Sequence, residues 1–220
     1  MTFDFWHLSL VTIMALNTGG QGVATPETPI ELQAPVRQSQ QADGVSLDGL
    51  GHDRGIAVAR NWVAEFLDFG CGYCAKFVTE TFPSIEKEYV STGKVRWKTV
   101  PFVSGQFPNS EDAAVAAECA DEQGKFAAMS DSLLASRKEW MKARRPQDVF
   151  NRIGRSIGLN LSTAAKCAAG GQARFRVRRH TEVARRVNIR GTPTFFINGQ
   201  RIEGAIPLPL FRQVMQQLAG

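Results

Sequence analysis

The stretch FGCGYCAKF, residues 69–77, places Cys71 and Cys74 three positions apart with only Gly72 and Tyr73 between them. Two cysteines at this spacing can form a redox couple, supply half of a zinc site, or lie together as inert thiols in a core. The residues on either side of the pair distinguish these three possibilities.

A buried strand is predicted before the pair and a helix after it. Residues 61–69 (NWVAEFLDF) are dense in aromatic and aliphatic side chains, which is typical of a strand covered on both faces. After the pair, apolar residues recur at steps of four, three and four, the spacing of one helical face, at Val78, Phe82, Ile85 and Tyr89. The two cysteines therefore lie where a strand ends and a helix begins.

This position favours a thiolate at Cys71. The first N–H groups of a helix have no partner within the helix, and the helix dipole adds partial positive charge there. Cysteines in such settings have lowered pKa values. Cys74 lies one turn further in and is shielded by the helix, so we predict that Cys71 attacks and that Cys74 resolves the mixed disulfide.

The other two possibilities are less favoured. A structural zinc site needs a second close-spaced pair, whereas Cys119 and Cys167 stand 48 residues apart. Covalent haem attachment needs a histidine at the position of Ala75. Inert buried thiols remain an alternative, but a CxxC between strand and helix favours redox chemistry, for which no metal or organic cofactor is expected.

The N-terminal quarter of the chain predicts an export signal and a linker. Residues 1–24 contain a short apolar run followed by small residues, as in a signal peptide or anchor, although no positive charge precedes the run. A disordered tail is the alternative. Residues 25–51 are rich in Pro, Gln and small polar residues and are interpreted as an extension or linker. One globular domain is predicted over residues 52–220, in the periplasm or another extracytoplasmic space.

Further elements follow along the chain. Apolar and polar residues alternate over residues 94–102, which predicts a strand, and a mostly helical stretch is expected over about 109–187. Its first helix should be capped by Asn109 or Ser110. Asn198-Gly199, flanked by the runs 194–198 and 200–203, predicts a β-hairpin, and a last helix is expected from Leu208.

These features together resemble the DsbA-like exported thiol-disulfide oxidoreductases. The matching stretches are EFLDFGCGYCAKF (65–77), AAECADEQGKF (116–126) and GTPTFFING (191–199), and the resemblance runs from about Arg60 to the C-terminus. It implies an α/β thioredoxin fold in which a helical insertion at about 109–187 separates the CxxC half from the cis-proline hairpin.

The resemblance also implies roles for individual residues. Cys71 matches the family's nucleophile and Cys74 its resolving cysteine. Thr192 and Pro193 match the cis-proline loop, which lies beside the CxxC and pairs with the substrate backbone. Glu65 matches a buried acid that assists proton transfer from the resolving thiol, and the alternative for it is an ordinary carboxylate at a strand end.

The implied activity is the introduction of disulfides into unfolded exported proteins, with a membrane redox partner of the DsbB type as reoxidant. Gly72-Tyr73 and Thr192 are instead similar to the DsbC-like isomerases. An isomerase or reductase is therefore the alternative, and a redox-inactive binding module on the same fold is a third possibility. The helical insertion favours the DsbA-like activity.

A second disulfide is expected between Cys119 and Cys167. Some DsbA-like relatives carry a non-catalytic bridge in this region, and an even number of cysteines in an exported protein also suggests one. The alternative is a pair of buried thiols that act as small hydrophobes.

Positive charge is concentrated in one region. Residues 137–190 contain 15 Lys or Arg and three acids, net +12, whereas the whole chain is only +5. This region could bind an acidic partner or anionic lipid, or it could be a solvated helix face. Nucleic acid is not favoured, because no interleaved aromatics or known motif accompany the charge. His180 lies in this region and is interpreted as a surface histidine.

Overall fold

A computed structural model describes residues 40–219 of the chain. The predicted signal or anchor segment, residues 1–24, and residues 25–39 of the predicted linker lie outside the described residues. Across residues 40–219, no helix combines the length and apolar character needed to cross a membrane.

The fold is built on a five-stranded mixed sheet, preceded by a small two-stranded hairpin. The strands are β1 (Gln41–Ala42), β2 (Val45–Ser46), β3 (His52–Arg54), β4 (Asn61–Leu67), β5 (Val95–Pro101), β6 (Thr194–Ile197) and β7 (Gln200–Glu203). The order in the main sheet is β3-β5-β4-β6-β7. Only β4 and β5 run parallel, and the other neighbours are antiparallel. The strand that leads to the cysteine pair is thus the centre of the sheet.

The helices fall into three groups along the chain. The first helical run comprises α1 (Gly72–Lys76), a π-helical segment (Phe77–Thr81), α2 (Phe82–Ile85) and a second π-helical segment (Glu86–Val90). The insertion comprises α3 (Ser110–Asp121), α4 (Phe126–Ala135), α5 (Arg137–Trp140), α6 (Pro146–Ser156), α7 (Leu161–Gly170) and α8 (Gln172–Arg186). The chain then forms the β6-β7 hairpin and α9 (Leu208–Ala219). The predicted helical insertion and C-terminal helix are confirmed.

An aromatic cluster fixes the first helical run on one face of the sheet. Trp97 of β5 is fully buried, with its ring 4.8 Å from that of Phe82 and 6.0 Å from that of Phe77. Phe195 of β6 and Phe211 of α9 complete the cluster at 5.9 and 6.2 Å from Trp97. Aromatic pairs at these separations contribute about 1 kcal/mol each beyond the area they bury. The cluster thereby holds the cysteine-bearing helix, the central strands and the last helix together.

All seven residues of β5 are buried, on both sides of the predicted alternation. The polar side includes Arg96 and Lys98, whose side chains contact the segment before β4. Arg96 donates to the carbonyl of Ala57 at 3.0 Å. Lys98 donates to the carbonyl of Leu50 at 2.9 Å and lies 3.0 Å from a carboxylate oxygen of Asp53. Hydrogen bonds and an ion pair of this kind make a buried cation tolerable.

The folded region begins earlier than the predicted boundary at residues 51 and 52. The β1-β2 hairpin and the turn after it bury Ala42, Leu47 and Leu50 against the face of the sheet opposite Trp97. The boundary was placed too late because the prediction followed the Pro- and Gln-rich composition of the segment. The burial of these three apolar residues joins the segment to the fold. Residues 40–51 therefore belong to the domain and not to a linker.

The predicted capping of the first helix of the insertion is wrong. Neither Asn109 nor Ser110 caps α3 with its side chain: the Asn109 amide donates to the Trp140 carbonyl at 2.9 Å, and the Ser110 hydroxyl donates to Asp68. Both side chains are used for tertiary contacts instead. The junction between α4 and α5 lies at Ser136, where neither Gly nor Pro marks a break.

His180 is buried, not exposed as the sequence suggested. It is 3% exposed, accepts a hydrogen bond from the backbone N–H of Gly51 at 3.1 Å, and lies 3.5 Å from Glu118. Burial lowers the pKa of His180 to about 4, so the ring is neutral at pH 7. Glu118 also contacts His52 at 2.9 Å and Arg176 at 2.8 Å. These contacts tie α3 and α8 to the edge strand β3.

The burial of Leu47 predicts that the N-terminal hairpin contributes to stability. We expect Leu47→Ala to lower the free energy of unfolding by about 2–5 kcal/mol, since the side chain is fully buried and leaves a cavity. Urea denaturation checks this. Ile56→Ala is the control, because Ile56 is 53% exposed and should change stability by less than about 0.5 kcal/mol. Equal, negligible effects of both substitutions would place the hairpin outside the cooperative unit.

Candidate active site

Cys71 occupies the N-cap position of α1, directly after the central strand. Its backbone is extended, with φ −75° and ψ 125°, and its sulfur accepts a hydrogen bond from the backbone N–H of Cys74 at 3.4 Å. This donor is one of those that a helix start leaves unpaired. The cysteine side chain thus takes the place that Ser or Asp takes at many helix starts.

The peptide bond between Thr192 and Pro193 is cis, and it lies against Cys71. The Cys71 thiol donates to the Thr192 carbonyl oxygen at 3.1 Å, across 121 positions of sequence. The fold therefore places the Thr192-Pro193 loop beside the cysteine pair, as the resemblance implied. Pro193 directly precedes β6, and its carbonyl accepts from the N–H of Gly204 at 2.8 Å, which fixes the loop to the end of β7.

The surroundings of Cys71 lower its pKa to about 6. The largest cause is a hydrogen bond from the Cys74 side chain, and burial opposes it. The Thr192 side chain and the backbone N–H groups of Cys74 and Tyr73 lower the pKa of Cys71 further. All of these donors stabilise a negative sulfur, so Cys71 is largely a thiolate at pH 7.

Cys74 has the opposite chemistry. It is fully buried, and burial raises the pKa of its thiol well above the ordinary value. Its hydrogen bond to Cys71 and the nearby charge of Glu65 raise this pKa further. The two thiols of one motif therefore differ strongly in acidity, although both are buried.

Glu65 lies on the central strand, beneath the cysteine pair and without solvent contact. Its carboxyl accepts from the indole N–H of Trp97 at 3.2 Å, and its other oxygen has no hydrogen-bond partner among the described residues. Burial raises the pKa of Glu65 to about 8, against the lowering effect of Trp97. A carboxyl with a pKa near neutrality can take up and release a proton at physiological pH.

Asp68 was not singled out from the sequence, yet it organises the loop before Cys71. Its carboxylate accepts from the Gly70 N–H at 2.9 Å and from the backbone and hydroxyl of Ser104 at 2.8 and 2.7 Å, as well as from Ser110. Its carbonyl accepts the Cys71 N–H at 2.9 Å. The available signal was Asp two positions before Gly, the pattern of an Asx turn.

Gly70 and Arg137 complete the loop, and neither was predicted from the sequence as a site residue. A Cβ at Gly70 would lie 2.1 Å from Cβ of Phe107, so only glycine fits there. Arg137 donates from Nε to the Gly70 carbonyl, and its guanidinium lies over Gly72. Arg137 comes from α5, 67 positions away in sequence, and no local pattern could have connected it to the motif.

A cavity of about 360 Å³ opens beside the Cys71 sulfur. Thr192 and the exposed Tyr73 lie at the same end as Cys71. The apolar part of the lining comes from Phe102, Val103, Phe107 and Ile189, and the charged part from Arg185 and Arg190. A cysteine-bearing segment of another protein could enter here and meet the sulfur.

Cys119 and Cys167 lie apart from this site, in the helical insertion. A disulfide joins them, with Cα atoms 5.7 Å apart, and it links α3 to α7. This is the pairing that the resemblance implied. Closing a loop of this length stabilises a fold by about 4 kcal/mol in the chain-entropy view.

The fold and the cysteine pair define a thioredoxin-fold protein. A family model described as Thioredoxin matches residues 49–217. Crystal structures with the same fold include Wolbachia pipientis alpha-DsbA1 (TM-score 0.68, 20% identity, 76% of this chain and 89% of that one). Oxidised Bacillus subtilis BdbD gives a TM-score of 0.71 at 21% identity, over 83% of this chain and 98% of that one.

The family model covers more than half of the chain, so the chain belongs to the thioredoxin family. The predicted α/β thioredoxin fold is thereby confirmed. Among curated relatives, the Salinispora tropica Na(+)/H(+) antiporter NhaA 3 is 34% identical over 155 residues, 70% of this chain and 22% of the antiporter. A Rickettsia bellii protein with the provisional name protein-disulfide oxidoreductase is 24% identical over 142 residues, 64% of this chain and 54% of that protein. The chain therefore spans about a fifth of the length of the antiporter and about half of the length of the Rickettsia protein.

The lowered pKa of Cys71 predicts the pH dependence of its alkylation. In the reduced protein, the rate of reaction with iodoacetamide should be half-maximal near pH 6, because the thiolate is the reacting form, whereas an ordinary thiol gives a midpoint near about 8.5. Mass spectrometry should find the label on Cys71. A midpoint near 8.5, or earlier labelling of Cys74, would contradict the assignment.

Two variants test the causes of this lowered pKa. Cys74→Ala removes the strongest donor and Thr192→Val removes a weaker one. Both should move the alkylation midpoint of Cys71 upward, and Cys74→Ala should move it further. A larger shift for Thr192→Val would reverse the order of the two contributions.

The raised pKa of Glu65 predicts how stability depends on pH. Its folded pKa of about 8 lies above its unfolded value, so folding becomes less favourable as pH rises from about 4.5 to 8. Glu65→Gln removes this loss. Between pH 5 and pH 7, the unfolding free energy of the variant relative to the native protein should rise by about 2 kcal/mol.

This difference is measured by urea denaturation of the oxidised protein, in which neither Cys71 nor Cys74 titrates. Any cost of the buried amide is independent of pH and cancels in the comparison. A variant whose relative stability is the same at both pH values would show that Glu65 ionises normally.

Proposed function

We propose that this protein is a thiol-disulfide oxidoreductase that introduces disulfides into extracytoplasmic proteins as they fold. The observation that carries the proposal is the contrast between the two thiols: Cys71 has a pKa of about 6 beside an open cavity, and Cys74 is buried with a raised pKa. Cys71 lines the cavity and has a lowered pKa, whereas Cys74 does neither, and directional disulfide exchange requires such a difference between the two sulfurs.

In the proposed reaction the oxidised protein carries a Cys71–Cys74 disulfide. A substrate thiolate attacks the Cys71 sulfur, forms a mixed disulfide and breaks the Cys71–Cys74 bond, so that the electron pair goes to Cys74. A second substrate thiolate then attacks the substrate sulfur of the mixed disulfide and releases Cys71 as a thiolate. The substrate gains one disulfide, and the protein is reduced by two electrons.

Proton movement follows from the acidities of the groups. Cys74 leaves as a thiolate in a buried setting where the charged form is strongly disfavoured, so it takes up a proton at once. Glu65, buried next to this chemistry with a pKa of about 8, is suited to supply that proton. The substrate thiolates release their own protons to solvent, which keeps the exchange balanced.

The difference in acidity between Cys71 and Cys74 also supports oxidation of the substrate as the direction of the exchange. Hydrogen bonds to the Cys71 sulfur stabilise the thiolate, which exists only in the reduced protein. Stabilising the reduced form makes the disulfide form a stronger oxidant. The substrate backbone is proposed to lie along Thr192 and Pro193, since the Thr192 carbonyl oxygen lies 3.1 Å from the Cys71 sulfur.

An isomerase or reductase is the second candidate, and the residues between the cysteines favour it. Gly72 and Tyr73 match the DsbC-like pattern, and Thr192 lends a side-chain donor to Cys71. Export by the N-terminal segment, reoxidation by a membrane partner of the DsbB type, and unfolded exported proteins as substrates are further parts of the proposal and rest on the resemblance.

Oxidation of a reduced protein substrate tests the proposed function. The oxidised protein should form disulfides in reduced ribonuclease, and Cys71→Ser should lower the rate to the uncatalysed background, because the nucleophile is lost. With ribonuclease that carries disulfides, Cys74→Ala should instead accumulate a mixed disulfide, visible on non-reducing gels, because Cys71 attacks a substrate disulfide and no Cys74 thiol is present to release it.

The same substrate, supplied with scrambled disulfides, separates the two directions. The proposed oxidase should act faster on the reduced substrate than on the scrambled one. The opposite order would support the isomerase, and no activity above background on either substrate, in the native protein as in Cys71→Ser, would indicate a binding module without redox function.

A further inference from the structure

The cavity beside Cys71 has an uneven charge. Thirteen residues line it, among them Arg185 and Arg190 as the charged side chains, and no carboxylate. Both arginines are exposed, Arg185 near the end of α8 and Arg190 two positions before Thr192. The two cations therefore flank the approach to the reactive sulfur.

These cations differ from the other arginines of the basic region. At the start of α8, Arg174 pairs with Glu111 and Asp112, and Arg176 pairs with Glu118 and Glu122. Much of the local positive charge is neutralised there. Within residues 40–219, no acid forms an ion pair with Arg185 or Arg190, and Arg190 contacts only the Asn188 amide oxygen, at 3.3 Å.

The positive field is confined to the part of the groove beside the sulfur. A second cavity of about 340 Å³ continues along α8 past Arg185, and there Glu111 and Glu182 stand beside Arg178. Mixed charge in that part gives little net attraction for either sign. The cation-only part contains Cys71, Thr192 and the apolar side chains that could receive a substrate residue.

Arginine is well suited to recognise carboxylates in such a place. Its planar guanidinium can hold both oxygens of a carboxylate, and a cleft with charge of one sign raises the rate at which oppositely charged ligands arrive. We propose that this groove selects cysteine-containing segments that carry acidic residues next to the cysteine, and that Arg185 and Arg190 are the residues that make this selection. The proposal rests on the proposed thiol-disulfide exchange at Cys71.

An indirect effect on Cys71 has to be separated from substrate recognition. Two nearby cations would also stabilise a thiolate, and that effect would change the rate with every substrate alike. A dependence on the charge of the substrate itself arises only from contact or attraction between the arginines and the substrate. The ratio of rates for acidic and basic substrates is therefore the informative quantity.

The test uses three dicysteine peptides that are identical except for two positions flanking one cysteine, which carry Glu, Gln or Lys. The rate of peptide oxidation by the oxidised protein is divided by the rate of the same peptide with oxidised dithiothreitol, an uncharged disulfide, to remove differences in thiol reactivity. At low salt the Glu peptide should react about tenfold faster than the Lys peptide. In about 1 M NaCl, which screens charges beyond about 3 Å, the ratio should approach one.

The variants assign the preference to particular residues. In the double variant Arg185→Gln/Arg190→Gln, the Glu-to-Lys ratio at low salt should fall to about twofold or less. Arg186→Gln is the matched control, since Arg186 is exposed on the same helix, next to Arg185, and does not line the cavity. It should retain the native ratio.

Each outcome is decisive. Equal normalised rates for the three peptides at low salt, with Cys71-dependent oxidation intact, would overturn the acidic preference and leave the proposed function standing. Loss of the preference in Arg186→Gln as much as in the double variant would overturn the assignment to Arg185 and Arg190. No oxidation of any peptide would overturn the proposed function together with the preference.

Discussion

The chemistry of this protein depends on the set of hydrogen bonds that converge on the Cys71 sulfur. Backbone N–H groups at the start of α1, the Cys74 side chain and Thr192 all stabilise the thiolate, and together they outweigh the burial that disfavours it. Each donor comes from a part of the fold that must be in place. The sheet positions the Thr192 loop, and the aromatic cluster around Trp97 holds the helix.

The core beneath the site is less stable than an apolar core would be. Glu65 occupies a central strand position where burial keeps its carboxyl largely neutral, and Trp97 supplies one hydrogen bond to it. An apolar side chain at this position would remove the desolvation cost of the carboxylate. Under the proposed function this carboxyl is the proton carrier for the buried thiol of Cys74, and the cost in stability falls at the site of the exchange.

Local sequence patterns predicted most of the fold because they reflect local physics. The strand-CxxC-helix order, the Asn198-Gly199 turn and the helical periodicities each depend on neighbouring residues. Both turn residues have positive φ, as the hairpin requires. Contacts between distant segments could not be predicted in this way. Arg137 on Gly70 joins residues 67 positions apart, and the buried His180 accepts a hydrogen bond from Gly51, 129 positions before it.

The reduction potential of the Cys71–Cys74 pair tests the stabilised thiolate most directly. Equilibration with glutathione buffers at pH 7, followed by trapping of free thiols, gives this potential. A Cys71 pKa of about 6 and a buried Cys74 predict a value more oxidising than about −200 mV, well above the thioredoxin value of about −270 mV. A potential at or below about −270 mV would contradict it, because the hydrogen bonds to Cys71 would then provide no net stabilisation of the reduced form.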